Sequence, residues 1–166
     1  MDSDAGFVAL GLDFGTTNTV VASADGDGDS RLIEFMHGNA RDAVFRTALC
    51  FWEEESGWNG IAHEAGPWAI EEFLQSPLDS RFVQSFKSVA ASPAFERAQI
   101  YGQPFRFEDV GQKFLQKLVT HAGGALDSRP SRIIVGRPAG YDSRTIMSGG
   151  RESYEARCRH CHQVPR

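Results

Sequence analysis

The chain has 166 residues, enough for one ordinary domain with a real core and too few for two. Its 41% hydrophobic and 23% charged residues exclude a disordered chain, and no apolar run reaches the length of a membrane span. A net charge of −5 leaves no basic stripe of the kind that tracks a phosphate backbone, so no nucleic-acid or membrane partner is expected. The opening Met1-Asp2-Ser3-Asp4 is acidic and leads straight into a strand, unlike a secretory signal or a basic transit peptide. Three cysteines give no paired disulfide framework, and a reducing, cytoplasmic setting is expected.

The first element is the most informative. Val8 and Leu10 alternate with Ala9 and Gly11 as a pleated strand requires, and apolar residues resume at Val20 and Val21. Between them lies Asp13-Phe14-Gly15-Thr16-Thr17-Asn18-Thr19. Gly15 permits a tight, positive-φ turn. The turn offers bare N–H groups and the hydroxyls of Thr16, Thr17 and Thr19, a surface suited to phosphate oxygens. Asp13 at the strand end is placed to hold a hydrated Mg²⁺ on those phosphates, since Mg²⁺ favours one or two carboxylates plus water. The same residues also fit a polar hairpin whose Asp and Thr side chains satisfy turn amides. No Walker-type G-x-x-x-x-G-K-[ST] occurs, and the glycine spacing of a Rossmann fingerprint is absent.

This strand–Asp–Phe–Gly–Thr–Thr order resembles the first phosphate hairpin of the actin-like ATPases, above all the DnaK-type, seventy-kilodalton heat-shock chaperones. The resemblance implies an α/β, ribonuclease-H-like lobe with a small inserted subdomain. It also implies ATP or ADP with Mg as cofactors, with Gly15, Thr16, Thr17 and Asn18 cradling phosphates and Asp13 orienting the metal through water.

Asp25-Gly26-Asp27-Gly28-Asp29 is a D-G turn between antiparallel strands. The position that should carry the closing Glu of a calcium loop is Met36, so calcium is not expected. Strands follow over Arg31–Met36 and Val44–Trp52, and residues 53–60 form a polar, acidic loop. Gly60 to Gly66 resembles the family segment that opens the inserted subdomain, placed at about residues 53–107. Pro67 to Leu74 is a short helix with Pro in its first turn, and Trp58 and Trp68 read as packing residues.

Ser80 to Val89 contains Lys87 between Phe86 and Ser88, with a small-residue turn at Ala91-Ser92-Pro93. Alone, Lys87 reads as a solvated lysine. In the family, a lysine in such a context reaches the terminal phosphate, where a fixed positive charge offsets charge developing on the transferring phosphoryl group. The resemblance therefore makes Lys87 and Asp13 the catalytic pair.

Ile100 to Phe107 is a hairpin with Gly102 and Pro104 at its turn. A helix follows, opened by Glu108 and Asp109, striped by Val110, Phe114, Leu115, Leu118, Val119 and Ala122, and ended by Gly123-Gly124. Ser131 to Ala139 is a buried parallel strand ending in Gly136-Arg137-Pro138. With Ala139 to Asp142 it resembles the chaperone strand "aliphatic–aliphatic–Val–Pro–Ala–Tyr", in the Gly-Arg-Pro form of the divergent YegD-like relatives. Arg137 is read as structural.

The resemblance spans about residues 7 to 142. A full actin-like ATPase continues with a glutamate-bearing helix and a second lobe holding another phosphate hairpin and the adenosine pocket, none of which follows. Residues 143–166 hold five Arg against two Glu, without periodicity. Cys158 and Cys161 have C-x-x-C spacing beside His160 and His162, but a structural zinc site needs four compatible ligands. The preferred reading is a non-native or disordered basic tail, from a frameshifted or prematurely ended longer gene. Without a second lobe, weak or undetectable ATP affinity, no hydrolysis by this chain alone, and self-association through an exposed apolar face are expected. A sugar- or acetate-kinase lobe of the same superfamily and a non-catalytic interaction module remain as alternatives.

Overall fold

The computed structural model describes residues 9–90, 97–127 and 130–136. The turn at 91–93, Arg137 with the remainder of its motif, and the tail with Cys158, His160, Cys161 and His162 lie outside them. The fold is mixed α/β, built mostly of strands. No helix among the described residues is long and apolar enough to cross a membrane.

The first sheet begins with the expected hairpin, β1 (Ala9–Phe14) against β2 (Asn18–Ala24), antiparallel from Ala9↔Ala24 to Phe14↔Thr19. Alternation along β1 turns Leu10, Leu12 and Phe14 toward the core, leaving Ala9, Gly11 and Asp13 for the other face. β3 (Ser30–Leu32) pairs with β2 across a turn in which Asp25 Oδ1 accepts the N–H groups of Asp27 (3.1 Å) and Asp29 (2.9 Å). The single strand expected over Arg31–Met36 breaks after Leu32. β4 (Phe35–His37) instead pairs with β5 (Ala40–Asp42) as a separate small hairpin.

β6 (Val44–Arg46) returns to β2, and β7 (Ala48–Trp58) opens a second sheet of order β8-β7-β9, with β8 at Ile61–Ala65 and β9 at Ser80–Gln84. β7 overturns the expected acidic loop at 53–60. Asn59 and Gly60 both take left-handed φ, 52° and 76°, which is the two-residue turn that matches strand twist, so the strand runs on to Trp58. The acidic residues project from its solvated end.

α1 (Gly66–Gln75), with Pro67 in its first turn, packs on β7, β8 and β9. A short α2 (Phe86–Ala90) follows β9, and β10 (Ala98–Ile100) and β11 (Gln103–Phe105) form the next hairpin. Its turn is Tyr101-Gly102, not the proline, and Pro104 lies within β11. α3 (Phe107–His121) buries Val110, Phe114 and Leu118, with Ala122 just beyond. Leu115 and Val119, assigned to the same stripe from sequence, sit at its margin and are partly exposed.

β12 (Arg132–Gly136) pairs in parallel with β1, from Ala9↔Arg132 to Asp13↔Gly136. The parallel direction is as expected, but the burial is not. β12 is the edge of its sheet, and Ile134 and Val135 are 52% and 37% exposed. A parallel strand is buried only when elements cover both of its faces, and among the described residues the main packing partner of β12 is its sheet neighbour β1. The core is aromatic, with Phe45, Phe51, Phe105 and Phe114 wholly buried beside Val21 and Leu49.

Candidate phosphate-binding hairpin

The turn between β1 and β2 is shaped by Gly15. A Cβ there would stand 2.3 Å from the Asn18 carbonyl oxygen, so any side chain would collide with fixed backbone. The glycine serves this close approach. The positive φ expected from sequence is not found, since Gly15 is not among the left-handed positions. Thr16, Thr17 and Asn18 are exposed around the turn, together with the Asp13 carboxylate.

Thr19 must be removed from the phosphate-facing set. It is fully buried, and its hydroxyl shares a 2.9 Å hydrogen bond with the Thr47 hydroxyl. Odd positions of β2 face the core, and Thr19 falls on that face with Val21. The Thr47 N–H also donates to the Thr17 carbonyl at 2.8 Å. These two bonds staple the β6–β7 junction to the hairpin and hold its shape.

Lys87 reaches this hairpin across 73 residues of sequence. Ser85, at φ 53°, turns the chain sharply out of β9, and the Ser88 N–H closes the turn on the Ser85 carbonyl at 2.9 Å. Phe86 then enters a ring cluster, 5.9 Å from Phe14 and 5.7 Å from Phe114, with Phe14 and Phe114 themselves 5.4 Å apart. Phe14 follows Asp13 and Phe86 precedes Lys87, so three packed rings bring Lys87 to the end of β1 that carries Asp13. The Lys87 ammonium donates to the Phe14 carbonyl oxygen and lies 5.2 Å from the centre of the Phe14 ring. Burial pulls its pKa below the ordinary lysine value, while the Asp13 carboxylate acts in the opposite direction.

Of the predicted site residues, Asp13, Gly15, Thr16, Thr17, Asn18 and Lys87 therefore converge at the carboxyl end of β1. Gly136 stands in register with Asp13, and a Cβ there would lie 3.6 Å from Asp13 Oδ1, so the glycine leaves space beside the carboxylate. No group of three or more His, Cys, Asp or Glu side chains gathers among the described residues. A cation shared between one carboxylate, water and phosphate oxygens requires no such group, and exposed Asp13 fits that chemistry.

A second polar cluster is structural. Glu64 on β8 accepts from Lys117 at 3.0 Å and pairs with His121 at 2.8 Å, tying α3 to β8. The hydrogen bonds to His121 and Lys117 outweigh the burial of Glu64 and hold its pKa below the ordinary carboxylate value. Trp68 stacks on His121 at 3.5 Å, in the packing role expected for it. Trp58 is more exposed and is covered by Lys113 at 4.7 Å. A shallow groove along α1, lined by His37, Pro67, Ile70, Glu71, Leu74 and Gln75, contains none of the hairpin residues.

Sequence reasoning missed Arg46. Its Nη1 donates to Asn18 Oδ1 at 3.2 Å, and the two residues are direct partners between β6 and β2. Only the strand register could have revealed it. Compared with models of known protein families, the chain matches none.

Proposed function

We propose that residues 9–136 form the first-lobe side of a Mg-ATP site of the DnaK-like, actin-like ATPase kind, nearest in character to the YegD-like chaperone relatives. On this reading the first sheet is the ribonuclease-H-like core, and 53–107 is the inserted subdomain. The observation that carries it is the meeting of Lys87 with the Asp13–Asn18 hairpin, two segments distant in sequence that the proposal assigns to one phosphate group.

The residues divide the work by their chemistry. Backbone N–H groups at Gly15, Thr16, Thr17 and Asn18 donate to a polyphosphate without side-chain obstruction, because Gly15 keeps the turn tight. Lys87 exchanges the neutral Phe14 carbonyl for charged phosphate oxygens, a stronger partner for an ammonium. Its fixed charge is then available where negative charge spreads during phosphoryl transfer. Asp13 holds water toward the phosphates, and a bound Mg²⁺ would neutralise part of their charge. The resemblance puts the adenosine pocket in a second lobe, and residues 9–136 are assigned the phosphate contacts.

A thermal-shift panel with Mg-ATP, Mg²⁺ alone and a chelator tests this. With Kd of about 1 mM, ligand at tenfold excess stabilises the fold by roughly 1.4 kcal/mol. Melting should rise by several degrees with Mg-ATP, not with Mg²⁺ alone, and not in Lys87→Ala. An unchanged melting temperature would favour a non-catalytic interaction module.

A further inference from the structure

The strand register carries an inference about the other side of the hairpin. Asp13 pairs with Val20, and Asn18 pairs with Arg46. Directly paired residues share a sheet face, and alternate residues along β2 share it too. Asp13, Asn18 and Arg46 therefore project from the same outer face. Lys87 arrives with Phe86 from the core-side ring cluster. The turn at Gly15–Thr17 thus has a cation on each side.

Arg46 is built into this position. The next residue, Thr47, is held by its N–H bond to the Thr17 carbonyl and by its buried bond to the Thr19 hydroxyl. Asn18 Oδ1 takes one guanidinium N–H and orients the fork, leaving most of its five donors for another acceptor. Among the described residues no carboxylate forms an ion pair with Arg46, although acidic side chains outnumber basic ones in the chain. A guanidinium held by a neutral amide, beside an exposed turn of small polar residues, is arranged for an anion.

We propose that Arg46 is the second phosphate cation of this hairpin and gives it a preference for polyphosphate chains over single phosphates. Lys87 supplies a point charge at one end, and Arg46 a planar fork at the other. Orthophosphate can engage one of them, whereas a chain of two or three phosphates reaches both. The proposal rests on the polyphosphate reading above and names the ligand feature that the site selects.

The test is titration of the whole chain with magnesium tripolyphosphate and, separately, magnesium orthophosphate, followed by amide NMR shifts. Wild type should bind tripolyphosphate well above orthophosphate. Arg46→Ala should weaken tripolyphosphate about tenfold, the scale of a lost charge-assisted contact, and change orthophosphate less than about twofold. Arg46→Lys should retain most of the affinity. Arg46→Gln keeps an amide able to meet Asn18 without the charge, so it should behave as Arg46→Ala. Wild-type affinity in Arg46→Gln would reduce Arg46 to a support for Asn18 and overturn the proposal. Equal tripolyphosphate binding by Arg46→Ala and wild type would overturn it while leaving the hairpin reading intact. A wild-type chain that binds neither anion would remove both.

Discussion

Replacing Phe114 probes the packing that delivers Lys87 to the hairpin. Phe114 is fully buried and touches three rings, Phe14 at 5.4 Å, Phe86 at 5.7 Å and Phe45 at 5.6 Å. A buried Phe→Ala change typically costs about 3–5 kcal/mol, through lost transfer energy and the cavity left behind. Aromatic pairs add roughly 0.5–1.5 kcal/mol each, and alanine returns only about half a kcal/mol of helix propensity. A loss near 4 kcal/mol is a large share of a typical domain stability of about 5–15 kcal/mol. In urea, with a slope of about 2 kcal/mol/M, the midpoint should fall by roughly 2 M at constant slope. Phe114→Leu should cost only about 1–2 kcal/mol and stay folded. In that variant the Phe14 and Lys87 amides should lose hydrogen-exchange protection more than those of β7, which carries none of the three rings. A loss below about 1 kcal/mol for Phe114→Ala, or protection reduced evenly in Phe114→Leu, would refute the idea that these rings set the site.

Other substitutions test neighbouring parts of the account. Gly15→Ala puts a Cβ 2.3 Å from the Asn18 carbonyl and should cost about 1–3 kcal/mol by urea unfolding; an unchanged midpoint would deny that the turn is tight. Glu64→Gln loses the charge that Lys117 and His121 share and should destabilise by about 2 kcal/mol at neutral pH, with a smaller loss in Lys117→Met. His63 has a buried, unpartnered Nε2, and its pKa is lowered to about 4 by burial first and then by Lys113 and Lys117. The unfolded chain takes up this proton below about pH 6.5 and the folded one only near 4, so stability should fall between those values. His63→Phe should flatten that part of a pH–stability curve, and an unaltered slope would count against the assignment.

What could be read from the sequence depended on how locally each feature is encoded. The β1–β2 hairpin follows from alternation around a glycine, α1 from its proline, and α3 from acidic residues ahead of an apolar stripe. The parallel pairing of β12 was legible as an aliphatic run, but its exposure was not, because burial depends on what covers it. The turn at Asn59-Gly60 was marked by its dipeptide and obscured by the acidic residues before it. Within the candidate site, Gly15 was legible because the close approach of the turn excludes a side chain, and Asp13 by its place near the end of β1. Thr19 was misread because a hydroxyl beside a turn looks available until the register buries it against Thr47. The left-handed Ser85, the ring triangle of Phe14, Phe86 and Phe114, and the Asn18–Arg46 pair are products of tertiary packing. No local pattern announces them.

The central claim is that the Asp13–Asn18 hairpin and Lys87 form one phosphate site. Titrating Mg-ATP into isotopically labelled protein, with amide shifts read residue by residue, tests it most directly. Saturable shifts should appear at Gly15, Thr16, Thr17, Asn18 and Lys87, with Kd of about 1 mM, equivalent to roughly −4 kcal/mol. They should be lost together in Lys87→Ala, while adenosine alone leaves them unmoved. Shifts confined to other parts of the protein, such as the groove along α1, or hairpin shifts that survive in Lys87→Ala, would contradict the account.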